Sequence, residues 1–186
     1  MASLYVALIH HPVYDKRGQV VTTSITTIDL HDIARSCRTY GVPAFYVVSP
    51  VDALRGLMRR VLRHWQEGYG STYNPNRREA LDLIQLQRTL EGVEIDIEAR
   101  TGRLPKTIAT SARESADATG FAALREEIAS GEEPWLLLLG TGWGLTAEVL
   151  SQAERRLVPI TGVGAYNHLS VRAAASIILD RLLGTR

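Results

Sequence analysis

Along this chain, short apolar runs alternate with stretches whose apolar residues recur every three or four positions, the order expected of parallel βαβ units. Six runs read as strands, at residues 4–10, 44–48, 80–86, 107–110, 135–139 and 157–160. The fifth, Trp135-Leu136-Leu137-Leu138-Leu139, is continuously apolar, as in a sheet covered on both faces. Helices are predicted at about 29–40, 51–65, 90–100 and 121–130, from the glycine turn after Leu139 to about 153, and at about 169–183. In the first, Leu30, Ile33, Ala34 and Cys37 share one face, and Gly41 with Pro43 stops it. In the second, Leu54, Leu57, Met58, Val61, Leu62 and Trp65 form the buried stripe. Gly102 closes the third helix and Gly131 the fourth. Two polar stretches, 11–27 and 68–78, read as long irregular loops. The pattern predicts a single α/β domain over residues 1–186, a mostly parallel six-stranded sheet with helices on both faces. No repeat, low-complexity tract or linker divides it.

In an open parallel sheet, ligands gather beyond the carboxyl ends of the strands. Three such ends carry unusual loops: Thr110-Ser111, the turn Leu139-Gly140-Thr141-Gly142-Trp143-Gly144, and the segment after Ile160. That last segment holds Gly162, Tyr166, Asn167, Leu169 and Ser170. Glycines allow a ligand to approach main-chain atoms closely, and such loops are suited to bonding an adenine and a ribose. The glycine turn does not match the dinucleotide fingerprint, and by spacing alone it reads equally as a structural turn. No Walker pattern is present, which argues against an NTPase.

Composition narrows the partners. The chain is 45% hydrophobic and 22% charged, with a formal net charge of +1. That balance gives no general pull on polyanions, so a nucleic-acid partner needs a local basic patch. Arg55, Arg59 and Arg63 recur every fourth residue on one helix; with Arg77, Arg78 and Arg17 they could track a phosphate backbone. Tyr69 and Tyr73 could stack on unpaired bases, although a solvated helical face is the commoner meaning of such an arginine stripe. His10 and His11, at the end of the first strand, read as hydrogen-bonded rather than catalytic. The five histidines and one cysteine show no zinc spacing, so no metal is expected. No apolar run is long enough to span a bilayer and no export signal is visible. With the lone Cys37, these features predict a cytoplasmic protein without a membrane partner.

Taken together, three segments resemble the SPOUT class of S-adenosylmethionine-dependent RNA methyltransferases. They are Asp29-Leu30-His31-Asp32-Ile33-Ala34-Arg35, Leu138-Leu139-Gly140-Thr141-Gly142-Trp143-Gly144-Leu145, and Asn167-His168-Leu169-Ser170-Val171-Arg172-Ala173-Ala174. With Tyr69-Gly70, Tyr73-Asn74-Pro75 and Arg77, the chain looks nearest to bacterial single-domain proteins related to tRNA (guanine-N1) methyltransferases. The resemblance implies a C-terminal trefoil knot, a homodimer in which both subunits shape the site, and S-adenosylmethionine held by the three loops. By position, Arg35 matches an arginine that contributes to catalysis in the ribose 2′-O branch. Asp29 stands where that branch has asparagine, His31 where it has glycine, and His168 where the last motif has asparagine. These departures favour methylation of a base, with Asp29 as the carboxylate placed to take a proton and helix capping as its other reading. A non-catalytic cofactor- or RNA-binding protein of the same fold is the alternative.

Overall fold

The computed structural model describes residues 3–164 and 166–185; Ala165, inside the loop after the last strand, lies outside them. Strand β1 (Leu4–Ile9) leads into a small antiparallel hairpin, β2 (Val13–Tyr14) with β3 (Val20–Val21), and then α1 (Thr27–Thr39). β4 (Phe45–Val48), α2 (Asp52–Gln66), two short helices α3 (Tyr69–Tyr73) and α4 (Pro75–Leu81), β5 (Ile84–Gln87) and α5 (Leu90–Thr101) follow. The second half runs through β6 (Lys106–Ala109), β7 (Ala118–Thr119), α6 (Phe121–Ser130), β8 (Trp135–Gly140), α7 (Ala147–Gln152), β9 (Arg155–Leu157) and α8 (Val171–Leu183). Seven strands make one sheet in the order β5-β4-β1-β8-β6-β9-β7, and every pairing in it is parallel. β1 and β8 form its centre, in register from Leu4↔Trp135 to Ile9↔Gly140.

Alternation along the central strands divides the core into two layers. Leu4, Val6 and Leu8 of β1, Phe45 and Val47 of β4, and Leu137 and Leu139 of β8 meet α1, α2, α4, α6 and α8. Tyr5, Ala7 and Ile9, Tyr46 and Val48, and Leu136 and Leu138 meet α5, α7 and the hairpin residue Val13. Both faces are therefore covered, which is why β8 shows no polar alternation.

Three differences from the sequence pattern have local causes. The sheet has seven strands rather than six because β7, two residues long and paired to β9, is too short to show a period. Residues 75–81 form α4, not the start of a strand: Pro75 stands in its first turn and the Asn74 side chain accepts from the Arg77 amide at 3.0 Å. β9 begins earlier than the apolar run because its arginines are paired, Arg155 with Glu127 at 2.8 Å and Arg156 with Asp117 at 3.5 Å. Gly102 ends α5 in the left-handed region at φ 77°, whereas Gly131 leaves α6 in extended backbone at φ −84°.

In α2 the inward face is Arg55, Met58 and Leu62, while Leu57, expected in the buried stripe, is 47% exposed. Arg55 is no part of a surface stripe. Its guanidinium is buried and donates to the Ser49 carbonyl at the end of β4 and to the Asp52 carboxylate. A buried arginine kept by such partners is structural, so the expectation that Arg55 contacts RNA is corrected.

Candidate active site

Because the sheet is parallel, the carboxyl ends of β1, β6, β8 and β9 share one edge, and the loops that follow them meet there. The loop after β8 is pinned by the hairpin that follows β1. The Trp143 amide donates to the Tyr14 carbonyl at 2.9 Å, the Tyr14 amide donates to the Gly144 carbonyl at 2.9 Å, and Val13 bridges Leu145. The Ala147 amide donates to the Tyr14 hydroxyl at 3.1 Å. Gly142 has φ +61°, and a Cβ there would stand 3.0 Å from the Tyr14 carbonyl oxygen and 3.1 Å from a Thr23 methyl. At Gly140 a Cβ would lie 2.7 Å from the Leu145 amide nitrogen. Gly142 is thus required by the approach of the hairpin to the loop after β8, and Gly140 by the fold of that loop back on itself at Gly144 and Leu145.

A directed hydrogen-bond chain crosses this junction. The Thr141 hydroxyl donates to the Ile9 carbonyl at 2.9 Å. Its oxygen must therefore accept from the Thr23 hydroxyl, 2.5 Å away. Thr23 in turn accepts from Nδ1–H of His10 at 3.0 Å. The imidazole is thereby fixed as the Nδ1–H tautomer, and its buried Nε2 has no hydrogen-bond partner. His10 is 1% exposed. Burial pushes its pKa down to about 4, against opposing effects of the Asp29 charge and the Ser24 backbone.

Beside this junction, the Thr110 hydroxyl donates to the Leu138 carbonyl at 2.8 Å and the Ser111 hydroxyl accepts from the Arg113 amide at 3.0 Å. The loop after β9 reaches the same place, where Asn167 Nδ2 donates to the Ala112 carbonyl at 3.1 Å. Ile160 is half-buried against the core; Gly162, Tyr166 and Leu169 are exposed. Ser170 caps α8, accepting from the Ala173 amide at 3.3 Å. Leu139 is buried in the sheet, so its backbone is what the site edge can use.

The α1 residues divide. Thr26, not Asp29, is the N-cap. Asp29 accepts from the Thr26 hydroxyl at 2.5 Å with one oxygen and from Arg172 of α8 at 3.1 Å with the other. Arg172 also pairs with Asp32 at 3.6 Å. The Asp29 side chain is 14% exposed and engaged through both oxygens, an arrangement that joins α1 to α8. Ser36 with Ser176 at 2.7 Å and Tyr40 with Asp180 at 3.1 Å continue the same seam. Arg35 faces solvent, without a carboxylate partner among the described residues.

Arg59 and Arg63 are exposed on α2, and Tyr73 stacks on Tyr69 at 5.8 Å between centroids. The Arg77 guanidinium lies 4.8 Å from the centre of the Trp65 ring. Arg59, Arg63, Tyr73 and Arg77 thus gather on one arm made by α2, α3 and α4. Arg17 stands apart on the hairpin turn, where its amide donates to Asp15 at 2.8 Å.

A family model described as SAM-dependent RNA methyltransferase matches residues 3–184. The chain belongs to this family of SAM-dependent RNA methyltransferases. A relative named tRNA (guanine-N(1)-)-methyltransferase, from Oleidesulfovibrio alaskensis, is 46% identical over 182 residues, 98% of this chain and 42% of the relative. The chain therefore spans less than half the length of that relative. An uncharacterized protein of Aquifex aeolicus is 42% identical over 97% of this chain and 88% of its own length. The Aquifex aeolicus TrmH/SpoU tRNA modifying enzyme shares the fold, with a TM-score of 0.57 at 19% identity over 98% of this chain and 75% of that one.

The cofactor of this methyltransferase family is S-adenosylmethionine, and the loops fit it. A Cβ on Gly144, Gly162 or Gly164 would meet nothing within 4 Å, so these positions leave a space open rather than fill one. The amides of Gly142 and Gly162 make no backbone hydrogen bond among the described residues. One group of residues did not stand out in the sequence pattern. Thr27, His31, Arg60, Val61, His64 and Trp65 line a cleft of about 460 Å³ between α1 and α2. Its signal was present, since Arg60 and His64 are four apart on the same helix as the arginine stripe.

Proposed function

We propose that this chain transfers a methyl group from S-adenosylmethionine to a base of tRNA or rRNA. The observation that carries the reading is the family match over residues 3–184, with the strand-end loops it includes meeting at one edge of the sheet. The 46% identity to a relative named for guanine-N1 methylation of tRNA supports a base as the acceptor, as do the residues at 29, 31 and 168.

In this reading Thr110, Ser111, Leu139, Gly140, Thr141, Gly142, Gly144, Ile160, Gly162, Tyr166, Asn167, Leu169 and Ser170 surround the cofactor, mostly through main-chain atoms. When bound, the cofactor supplies an activated methyl group, and the chain's own work is orientation. Ile160 offers an apolar wall, and Asn167 ties the last loop to the first. Arg35 presents a cation to the RNA, holding a phosphate or the target base. Asp29 positions α1 against α8 through Arg172. Arg59, Arg63, Tyr73 and Arg77 extend the RNA face, with Arg17 at its far margin.

Asn167 lies beside Ala112, and α8 then packs on α1 and α6. This path supports the reading that the carboxyl-terminal part is knotted through the earlier loop. The same reading has two copies completing each site and places the enzyme in the cytoplasm.

The test is transfer of labelled methyl from S-adenosylmethionine to unfractionated bacterial tRNA and rRNA, followed by nucleoside mass spectrometry. A methylated base is expected; cofactor binding with no incorporation into either RNA leaves a non-catalytic binder. Arg35→Ala is expected to keep cofactor affinity within about twofold by calorimetry. Losing a charged hydrogen bond costs about 1.5–3 kcal/mol, so transfer should fall by roughly 10- to 100-fold. Unchanged turnover would reduce Arg35 to a surface charge.

A further inference from the structure

The cleft between the start of α1 and the C-terminal half of α2 lies outside the strand-end loops. Its volume, about 460 Å³, falls within the roughly 300–1,000 Å³ of sites that take small ligands. Its lining combines aromatic rings with positive charge. Trp65 is held by edge-on contacts from His31 and His64, each at 5.4 Å, and by Arg77 over its ring. Val61 adds an apolar wall and Arg60 a second guanidinium. Neither Arg60 nor Arg77 has a carboxylate within ion-pair reach among the described residues, whereas ten other ion pairs form. His31 Nδ1 has no hydrogen-bond partner and is closed off from solvent. Burial and the nearby Arg77 charge lower the pKa of His31, which keeps one ring nitrogen able to accept. Next to the cleft, Tyr69 and Tyr73 are 74% and 72% exposed, a stacked aromatic pair open to solvent.

We infer that this cleft binds one unpaired nucleotide of the RNA substrate, its phosphate on Arg60 and Arg77 and its base against the His31, His64 and Trp65 rings. Unpaired cations answer a phosphate, and stacked rings answer a base released from a helix. His31 lies one helical turn from Arg35, the cation that the same reading gives to the RNA. The inference rests on the RNA-methyltransferase reading.

The experiment is filter binding of unfractionated bacterial tRNA to the full chain between 50 and 200 mM salt, with S-adenosylmethionine affinity measured in parallel. Wild type, Arg60→Gln, Arg77→Gln and Arg103→Gln are compared. Arg103, paired with Glu132 at 3.4 Å near the amino ends of the strands, is the control. Arg60 is exposed, so its replacement leaves packing intact. Arg60→Gln and Arg77→Gln are each expected to weaken tRNA binding about 3- to 10-fold. Each should also reduce the slope of log K against log salt by about 0.7, the value for one single-strand phosphate. Cofactor affinity and Arg103→Gln should not change. Unaltered tRNA affinity and slope in both variants, with wild-type binding intact, overturns the cleft and leaves the RNA reading standing. A wild type that binds no tRNA brings down both. A change of oligomeric mass by light scattering in Arg60→Gln, without loss of tRNA binding, makes the cleft a protein interface and also overturns the inference.

Discussion

Replacing Gly142 with valine is expected to lower the melting temperature by roughly 6–12 °C and to remove measurable S-adenosylmethionine binding. The backbone there has φ +61°, which costs a residue with a Cβ about 1–2 kcal/mol. The Cβ also points at the Tyr14 carbonyl oxygen at 3.0 Å and the Thr23 methyl at 3.1 Å, and overpacking adds about 1–3 kcal/mol. A combined loss of about 3 kcal/mol gives the stated shift for a domain of this size. Binding is lost because the valine pushes the hairpin away from the loop after β8. The two Tyr14 backbone bonds and the Thr23–Thr141 contact then open. Gly162→Val separates this packing effect from a ligand contact. Nothing lies within 4 Å of its Cβ, so the melting temperature without ligand should stay the same while cofactor affinity falls. Equal melting temperatures for Gly142→Val and wild type would refute the packing argument.

Acidification supplies the second large effect. His10 carries a folded pKa of about 4, below the ordinary 6.5. Above pH 6.5 the imidazole is neutral in both states and contributes no pH dependence. As pH falls from 6.5 towards 4, the unfolded chain takes a proton that the folded one refuses. Stability falls across that window by about 3 kcal/mol, at about 1.4 kcal/mol per unit, and levels off below the folded pKa. His10→Asn keeps a donor at the Nδ1 position for Thr23 but cannot titrate. Denaturant titrations from pH 7 to 4 should show a slope for wild type that flattens in the variant. Parallel curves would mean that His10 is protonated in the fold.

The covered layers of the sheet were readable because β1, β4 and β8 are long, apolar and parallel, and α6 matched its predicted limits at Phe121 and Ser130. The hairpin at Val13–Tyr14 and Val20–Val21 was hidden: its strands are two residues each, and its partner, the loop after β8, lies more than a hundred residues away. The α4 signal, Asn74 followed by Pro75, was legible but masked by the aromatic and basic residues around it. The strand-end loops were located because chain polarity alone puts them on one edge. The roles of individual side chains were harder to read. Asp29 sits at the head of a helix in sequence, but only the arrival of Arg172 from α8 decides what its carboxylate does. Arg55 shares a four-residue period with Arg59 and Arg63, yet the Ser49 carbonyl at the end of β4 draws it inward. In each case the deciding partner comes from another element, which periodicity along one helix does not register.

Arg172 neutralises Asp29 across a sequence separation of 143 residues, and Ser36 meets Ser176 across 140. A growing chain that emerges at about 5–20 residues per second therefore exposes α1 for roughly 7–30 s before its counter-ion is made. During that interval the apolar side of α1 lacks the α8 residues it will pack against. Synthesis of this protein thus includes a window in which the first helix is open to chaperones and to self-association.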